Sequence, residues 1–344
     1  MSDTAGVAFI VIAGLMAGTS ALPMKYAKRW TYEHVWLLFN GLALLVIPFG
    51  TLSLNSQKVW ATYHAVPLVT LVLTVALGFG WGIGSVLCGI AYTMLGLGLG
   101  MSVVLGLAAI VGSILPLLVL APERLWNAQT TALYWSIIVL IIGLVFVARA
   151  GHLREVSRGE GTTTNTADLN AFGKGELRKG LFIAISSGIL SGLLNVGLIY
   201  GSSIRTTALQ LGASTALAVS ALSFPVTAAG FFGILIYSSY LLTRRNSWKL
   251  YFAAGSQSHW LLVLLMALLY TASIWLYTYG ANRAGSMGAV LGFPAYMSSM
   301  IIAGNVAGAL TGEWKDAAGA SRIFALGGLL ALIGAIVLIS RANL

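Results

Sequence analysis

The residues able to do chemistry in this chain are few, neutral and set in apolar surroundings. Asn40, Asn195 and Asn305 each lie inside a long apolar run. An amide in hydrocarbon costs free energy unless it is hydrogen-bonded, and it can both donate and accept. Each is either an interhelical bond or a group that binds hydroxyls. Near the eighth apolar run the chain reads Tyr270-Thr271-Ala272-Ser273-Ile274-Trp275-Leu276-Tyr277-Thr278. On a helix Thr271, Trp275 and Thr278 share one face, and Tyr270, Ser273 and Tyr277 share the next. Two polar-aromatic faces on one helix point to an aqueous cavity. A sugar offers a flat C–H face to aromatic rings and hydroxyls to amides and phenols. Trp81, Asn195, Trp275, Tyr277 and Asn305 make that mixture and are the candidate substrate-binding residues. Plain packing of the same aromatics is the competing explanation.

The ionisable groups sit elsewhere. None of the nine acidic residues falls at the centre of an apolar run. Proton-coupled carriers hold an ionisable group within the membrane. The nearest candidates for proton coupling are Glu33 and His34, at the start of the second run, and His259, at the start of the eighth. The four histidines are scattered without zinc spacing, and the single cysteine, Cys88, excludes an internal disulfide. No metal or cofactor is expected. An enzyme acting on a lipid-linked substrate would need clustered acid–base or metal ligands near one interface. The sequence offers no such cluster, so no enzyme is expected. Pro225 and Pro294 fall inside apolar runs. Proline removes a helical hydrogen bond, and loosened backbone at membrane depth is tolerated only against protein or a cavity. The segment 288–296, with Gly292 and Pro294, is therefore a candidate gate or binding segment.

The elements that must hold these groups are membrane spans. Only 8% of the 344 residues are charged, 58% are apolar, and the mean hydropathy is +0.90. An ordinary soluble domain carries about 25% charge. That excludes a cytosolic enzyme, a secreted disulfide scaffold and a nucleic-acid binder. The net charge of +10 reads as cytoplasmic loops and headgroup contacts. A spanning helix needs about 20 mostly apolar residues. Ten such runs are present, at 5–23, 35–54, 66–94, 99–121, 130–149, 179–201, 213–242, 258–282, 286–311 and 321–341. They are continuous rather than alternating, which excludes a barrel. No basic residue precedes the first run, so it does not read as a cleaved signal peptide. Glycine pairs four apart, Gly14–Gly18, Gly78–Gly82, Gly80–Gly84, Gly188–Gly192 and Gly304–Gly308, mark faces for close helix packing.

A polar stretch divides the chain into residues 1–151, a linker at 152–178, and residues 179–344. The halves look related. Val104-Leu105-Gly106-Leu107 resembles Val290-Leu291-Gly292-Phe293, and the following turns hold Glu123 with Trp126, and Glu313-Trp314. Two homologous halves of five helices each must insert with opposite topology, as inverted repeats. Fourteen of the nineteen Lys and Arg residues fall in loops 1–2, 5–6, 7–8 and 9–10. The positive-inside rule places these loops in the cytoplasm and both termini outside.

Several blocks resemble the bacterial L-rhamnose–proton symporters. They are Pro23-Met24-Lys25-Tyr26-Ala27-Lys28-Arg29-Trp30-Thr31-Tyr32-Glu33, Trp81-Gly82-Ile83-Gly84, Leu95-Gly96 with Gly100-Met101-Ser102, and Arg149-Ala150-Gly151. The most specific is Gly312-Glu313-Trp314-Lys315-Asp316-Ala317. The blocks keep their order over nearly the whole chain. The resemblance implies membership of the drug/metabolite transporter superfamily, with two inverted five-helix repeats. It also implies a deoxyhexose substrate, protons as the coupling ion, and a bacterial inner-membrane location. The sequence departs from the family pattern at 286–294, which carries no charge.

Overall fold

The computed structural model describes residues 4–27, 29–157, 174–253, 255–285, 287–312, 314–315 and 317–342. Among them there is no strand, and ten helical segments are long and apolar enough to cross a membrane. The protein is a multi-pass, all-helical membrane protein. Each of the ten expected runs coincides with one span. Lys28, Ser286, Glu313, Asp316 and most of the 152–178 linker lie outside the described residues.

Span 1 is α1 (Thr4–Ser20). Span 2 is interrupted. It begins as α2 (Tyr32–Asn40), passes through a wide π-turn at Gly41–Val46, and ends as α3 (Ile47–Ser53). Pro48 lies at the start of α3 and supplies no N–H. Two carbonyls shortly before it also accept hydroxyls from neighbouring helices. The Thr227 hydroxyl donates to Leu44 O at 3.0 Å, and the Thr271 hydroxyl to Ala43 O at 2.9 Å. A short helix, α4 (Ser56–Ala65), caps this end.

Spans 3 and 4 run together as α5 (Leu68–Leu120), 53 residues broken at Gly96. The φ of 76° and ψ of 163° there belong to no helix, and only glycine adopts them readily. Leu68–Gly96 and Leu99–Leu120 are the two spans on either side. Span 5 is α6 (Ala128–Ser157). The second half holds α7 (Lys174–Tyr200), a short α8 (Ser202–Gln210), α9 (Thr215–Arg244), α10 (Gln257–Arg283), α11 (Gly288–Leu310) and α12 (Gly319–Ala342).

The glycine faces are used for close packing. A Cβ on Gly14 would lie 2.5 Å from Tyr296 O, and one on Gly18 would strike Met300 O. On Gly188 it would lie 2.6 Å from Leu107 Cβ, and on Gly192 2.8 Å from Gly112 N. On Gly78 and Gly82 it would strike the carbonyls of Val226 and Gly230. Gly304 differs, with Gly18 O at an ordinary 3.7 Å. Thus α1 packs on α10 and α11, and α7 packs on both halves of α5. Spans 5 and 10 pack on each other.

Candidate substrate-binding site

The polar centre of the bundle forms where four spans meet. Asn195, on α7, is fully buried. Its Nδ2 donates to Gly112 O at 2.8 Å and to Ala289 O at 3.1 Å. Tyr277, on α10, places its hydroxyl 2.6 Å from Asn195 Oδ1 and 3.1 Å from Ala289 O. The sequence dictates this meeting point. Pro116 lies inside α5 and cannot give an N–H to the carbonyl four residues earlier. That carbonyl is Gly112 O, the one Asn195 takes. Pro294 does the same to Val290 in α11. Ala289, one residue before, accepts from Asn195 with Tyr277 beside it.

An aromatic wall continues the centre. Tyr296 lies 4.8 Å from the Tyr277 ring and stacks on Phe293 at 6.3 Å, with planes 15° apart. The Ser273 hydroxyl is 3.1 Å from the Tyr296 hydroxyl. All of these side chains are buried. Thr271, Ser273, Tyr277 and Thr278 are buried and hydrogen-bonded to protein.

Of the five candidate binding residues, the structure brings two together, Asn195 and Tyr277. Trp81 is buried in a separate cluster, its ring pressed on Gly230 of α9. Trp275 is half-buried and, among the described residues, makes no hydrogen bond or ring contact. Asn305 turns its amide back to Ile301 O of its own helix at 2.9 Å, and Asn40 does likewise to Trp36 O at 2.7 Å. Gly112 and Ser273 complete the centre without having been named as binding residues, and Phe293 and Tyr296 come from the 288–296 segment. Pro116 was the available signal for Gly112, since a proline inside a span names the carbonyl it strands. Gly292, a gate candidate, packs against the Ile10 side chain, and Pro294 loosens the turn that carries Ala289.

The three proton-coupling candidates converge at one end of the bundle. Glu33 is buried and pairs with Arg245 at 2.6 Å, the arginine side chain being 57% exposed. His34 is fully buried. Its Nε2 lies 2.9 Å from Ser247 O. A carbonyl only accepts, so Nε2 carries the hydrogen, and Nδ1 faces the Thr31 hydroxyl at 2.7 Å. His259 shows the opposite tautomer. Its Nε2 accepts from the Arg29 backbone N–H at 3.3 Å, so an uncharged His259 carries its hydrogen on Nδ1. Trp30 stands between the rings, 6.4 Å from His34 and 5.4 Å from His259. Tyr251 donates to His34 O at 2.9 Å. Burial, aided by the Glu33 charge, pushes its phenol well above the ordinary range, so it remains a donor. At the opposite end, Lys58 of α4 reaches Gly212 O and the Tyr63 hydroxyl donates to Ala221 O at 2.9 Å.

The family model described as L-rhamnose-proton symport protein (RhaT) matches residues 2–344. The L-rhamnose-proton symporter of Citrobacter koseri is 26% identical over 351 residues, covering 99% of this chain and 96% of the relative. Those of Cronobacter sakazakii and Escherichia coli O1:K1 are 26% and 25% identical, with the same coverage. The chain belongs to the L-rhamnose-proton symporter family.

Proposed function

We propose that the protein is an inner-membrane secondary carrier that imports L-rhamnose together with protons by alternating access. The observation that carries this reading is the Asn195–Tyr277 centre, in a chain matched along its length by the symporter family. A sugar hydroxyl can replace each bond of that centre. Asn195 and Tyr277 would release Ala289 O and each other, and Phe293 and Tyr296 would face the sugar's C–H surface. A neutral hydrogen bond contributes about 1 kcal/mol net. Exchanging one for another therefore costs little in either direction, as a reversible carrier requires. Ser113, beside Gly112, and Ser298, two residues beyond Tyr296, are buried with hydroxyls that lack a partner among the described residues. They are further acceptors and donors for a polyol. Trp81, Trp275 and Asn305 would join only through a movement of their helices.

Two halves related as inverted repeats supply the movement. Gly6, Gly14 and Gly18 in α1 have the same spacing as Gly180, Gly188 and Gly192 in α7. The first set meets α10 and α11, and the second meets the two halves of α5. This exchange of partners is what two-fold related repeats would produce. With both termini outside, the Glu33–His34–His259 cluster lies at the cytoplasmic end. Protonation of Glu33 would remove the charge that holds Arg245. Protonation of His259 would break its bond from the Arg29 N–H.

Uptake of labelled L-rhamnose into liposomes holding the purified protein tests this. Accumulation driven by an inward proton gradient is expected, with competition by unlabelled L-rhamnose. Equilibration without accumulation would make the protein a uniporter. Absence of flux would discard the sugar.

A further inference from the structure

A groove of about 410 Å³ runs along the outer face of span 2, between Leu38, Leu42 and Leu45 on one side and Phe231 and Leu235 of α9 on the other. One wall is the π-turn Gly41–Val46. The lining from Leu37 to Val46 covers nine residue steps, about 14 Å along a helix axis. That is about half of a hydrocarbon core ~30 Å thick, the depth of one leaflet. The groove is therefore long enough for one acyl chain.

Its mouth has the chemistry of a lipid interface. Trp248, Phe252 and Trp260 surround it, and Phe252 is 87% exposed. The indole N–H groups are already spent, Trp248 on the Thr243 hydroxyl and Trp260 on Tyr251 O. The rings thus present apolar faces to the groove. The same short segment carries Arg244 and Lys249, both exposed. Among the described residues neither has an ion-pair or hydrogen-bond partner, whereas Arg245 between them is held by Glu33. A basic residue at a membrane surface gains about 1 kcal/mol from an anionic lipid, and a zwitterionic headgroup offers no net charge in return.

We propose that this groove binds one acyl chain of an anionic glycerophospholipid whose headgroup phosphate is held by Lys249 and Arg244. The bound chain lies against the π-turn, whose Ala43 and Leu44 carbonyls accept the Thr271 and Thr227 hydroxyls. The lipid therefore braces the point where span 2 is interrupted.

The test is photolabelling of the full chain in nanodiscs. The probe is phosphatidylglycerol with a diazirine near the middle of one acyl chain. Labelling is expected within Gly41–Val46 and Phe231–Leu235. Unlabelled phosphatidylglycerol should displace it at least about fivefold more effectively than phosphatidylcholine, the ratio that ~1 kcal/mol sets. The double variant Arg244→Ala/Lys249→Ala, changed only at exposed positions, should abolish that preference. Leu42→Trp should cut labelling of this wall by filling the groove. Equal displacement by the two lipids would overturn the proposal. So would a preference that survives the double variant, or labelling spread evenly over the ten spans.

Discussion

Asn195 Nδ2 donates to the one carbonyl in span 4 that Pro116 leaves without a helical N–H, Gly112 O, at 2.8 Å. The same arrangement recurs. Pro225 strands Ala221 O in α9, and the Tyr63 hydroxyl takes it at 2.9 Å. Pro48 leaves span 2 one helical N–H short just after its π-turn, and the Thr271 and Thr227 hydroxyls take Ala43 O and Leu44 O there at 2.9 and 3.0 Å. At membrane depth an unpaired carbonyl costs several kcal/mol. Each proline therefore ties its helix to a chosen neighbour, and the ties are of a kind that can be exchanged.

Asn195→Leu should lower stability by about 1–3 kcal/mol, because Gly112 O is left buried without a donor. Pro116→Ala restores a helical N–H to that carbonyl. In the Pro116→Ala background the same leucine substitution should cost about 1 kcal/mol less, a coupling read from a double-mutant cycle of unfolding in detergent. Equal losses in both backgrounds would show that Asn195 does not serve the carbonyl.

Tyr277→Phe keeps the ring against Tyr296 and Phe293 but removes the hydroxyl bonded to Asn195. Stability should fall by about 1 kcal/mol, with normal membrane insertion. Sugar transport should fall at least tenfold, as initial uptake in liposomes would show. Wild-type uptake would remove Tyr277 from the site.

Spans were legible because length and continuous hydropathy alone decide them, so all ten runs found their helices. The shape inside spans was not. A π-turn has no composition of its own, and Gly41–Val46 reads as an ordinary apolar run. The site was half legible. Asn195 and Tyr277 stood out as polar groups in hydrocarbon, but so did Asn40 and Asn305, which bond within their own helices. Choosing among them needs the rotation of each helix, which α1 to α12 acquire only on packing. The convergence of Glu33, His34 and His259 joins loop 1–2 to loop 7–8, a contact between positions more than 200 residues apart.

Gly96→Ala should be costly despite its small volume. The φ of 76° with ψ of 163° is a glycine region, and forcing a Cβ into it costs about 1–3 kcal/mol. The turn between spans 3 and 4 holds Gly180 of α7 against Leu95, so strain there reaches the second half. A thermal scan should show a drop in unfolding temperature, while Gly50→Ala, where a Cβ meets nothing within 4 Å, should show none.

Glu33→Gln separates coupling from binding. Its ion pair with Arg245 has one partner 57% exposed, and pairs of that kind contribute about 0–1 kcal/mol. Stability should therefore change little. If the charge of Glu33 must be neutralised to release Arg245, the neutral amide should act as if always protonated. Exchange of labelled for unlabelled sugar across the liposome membrane should persist, while accumulation against a gradient should disappear and its pH dependence flatten. Retained accumulation would exclude Glu33 as the coupling group and leave His34 and His259. His259→Asn would then be examined in the same assay, its loss of accumulation marking the imidazole that accepts the Arg29 N–H as the proton carrier.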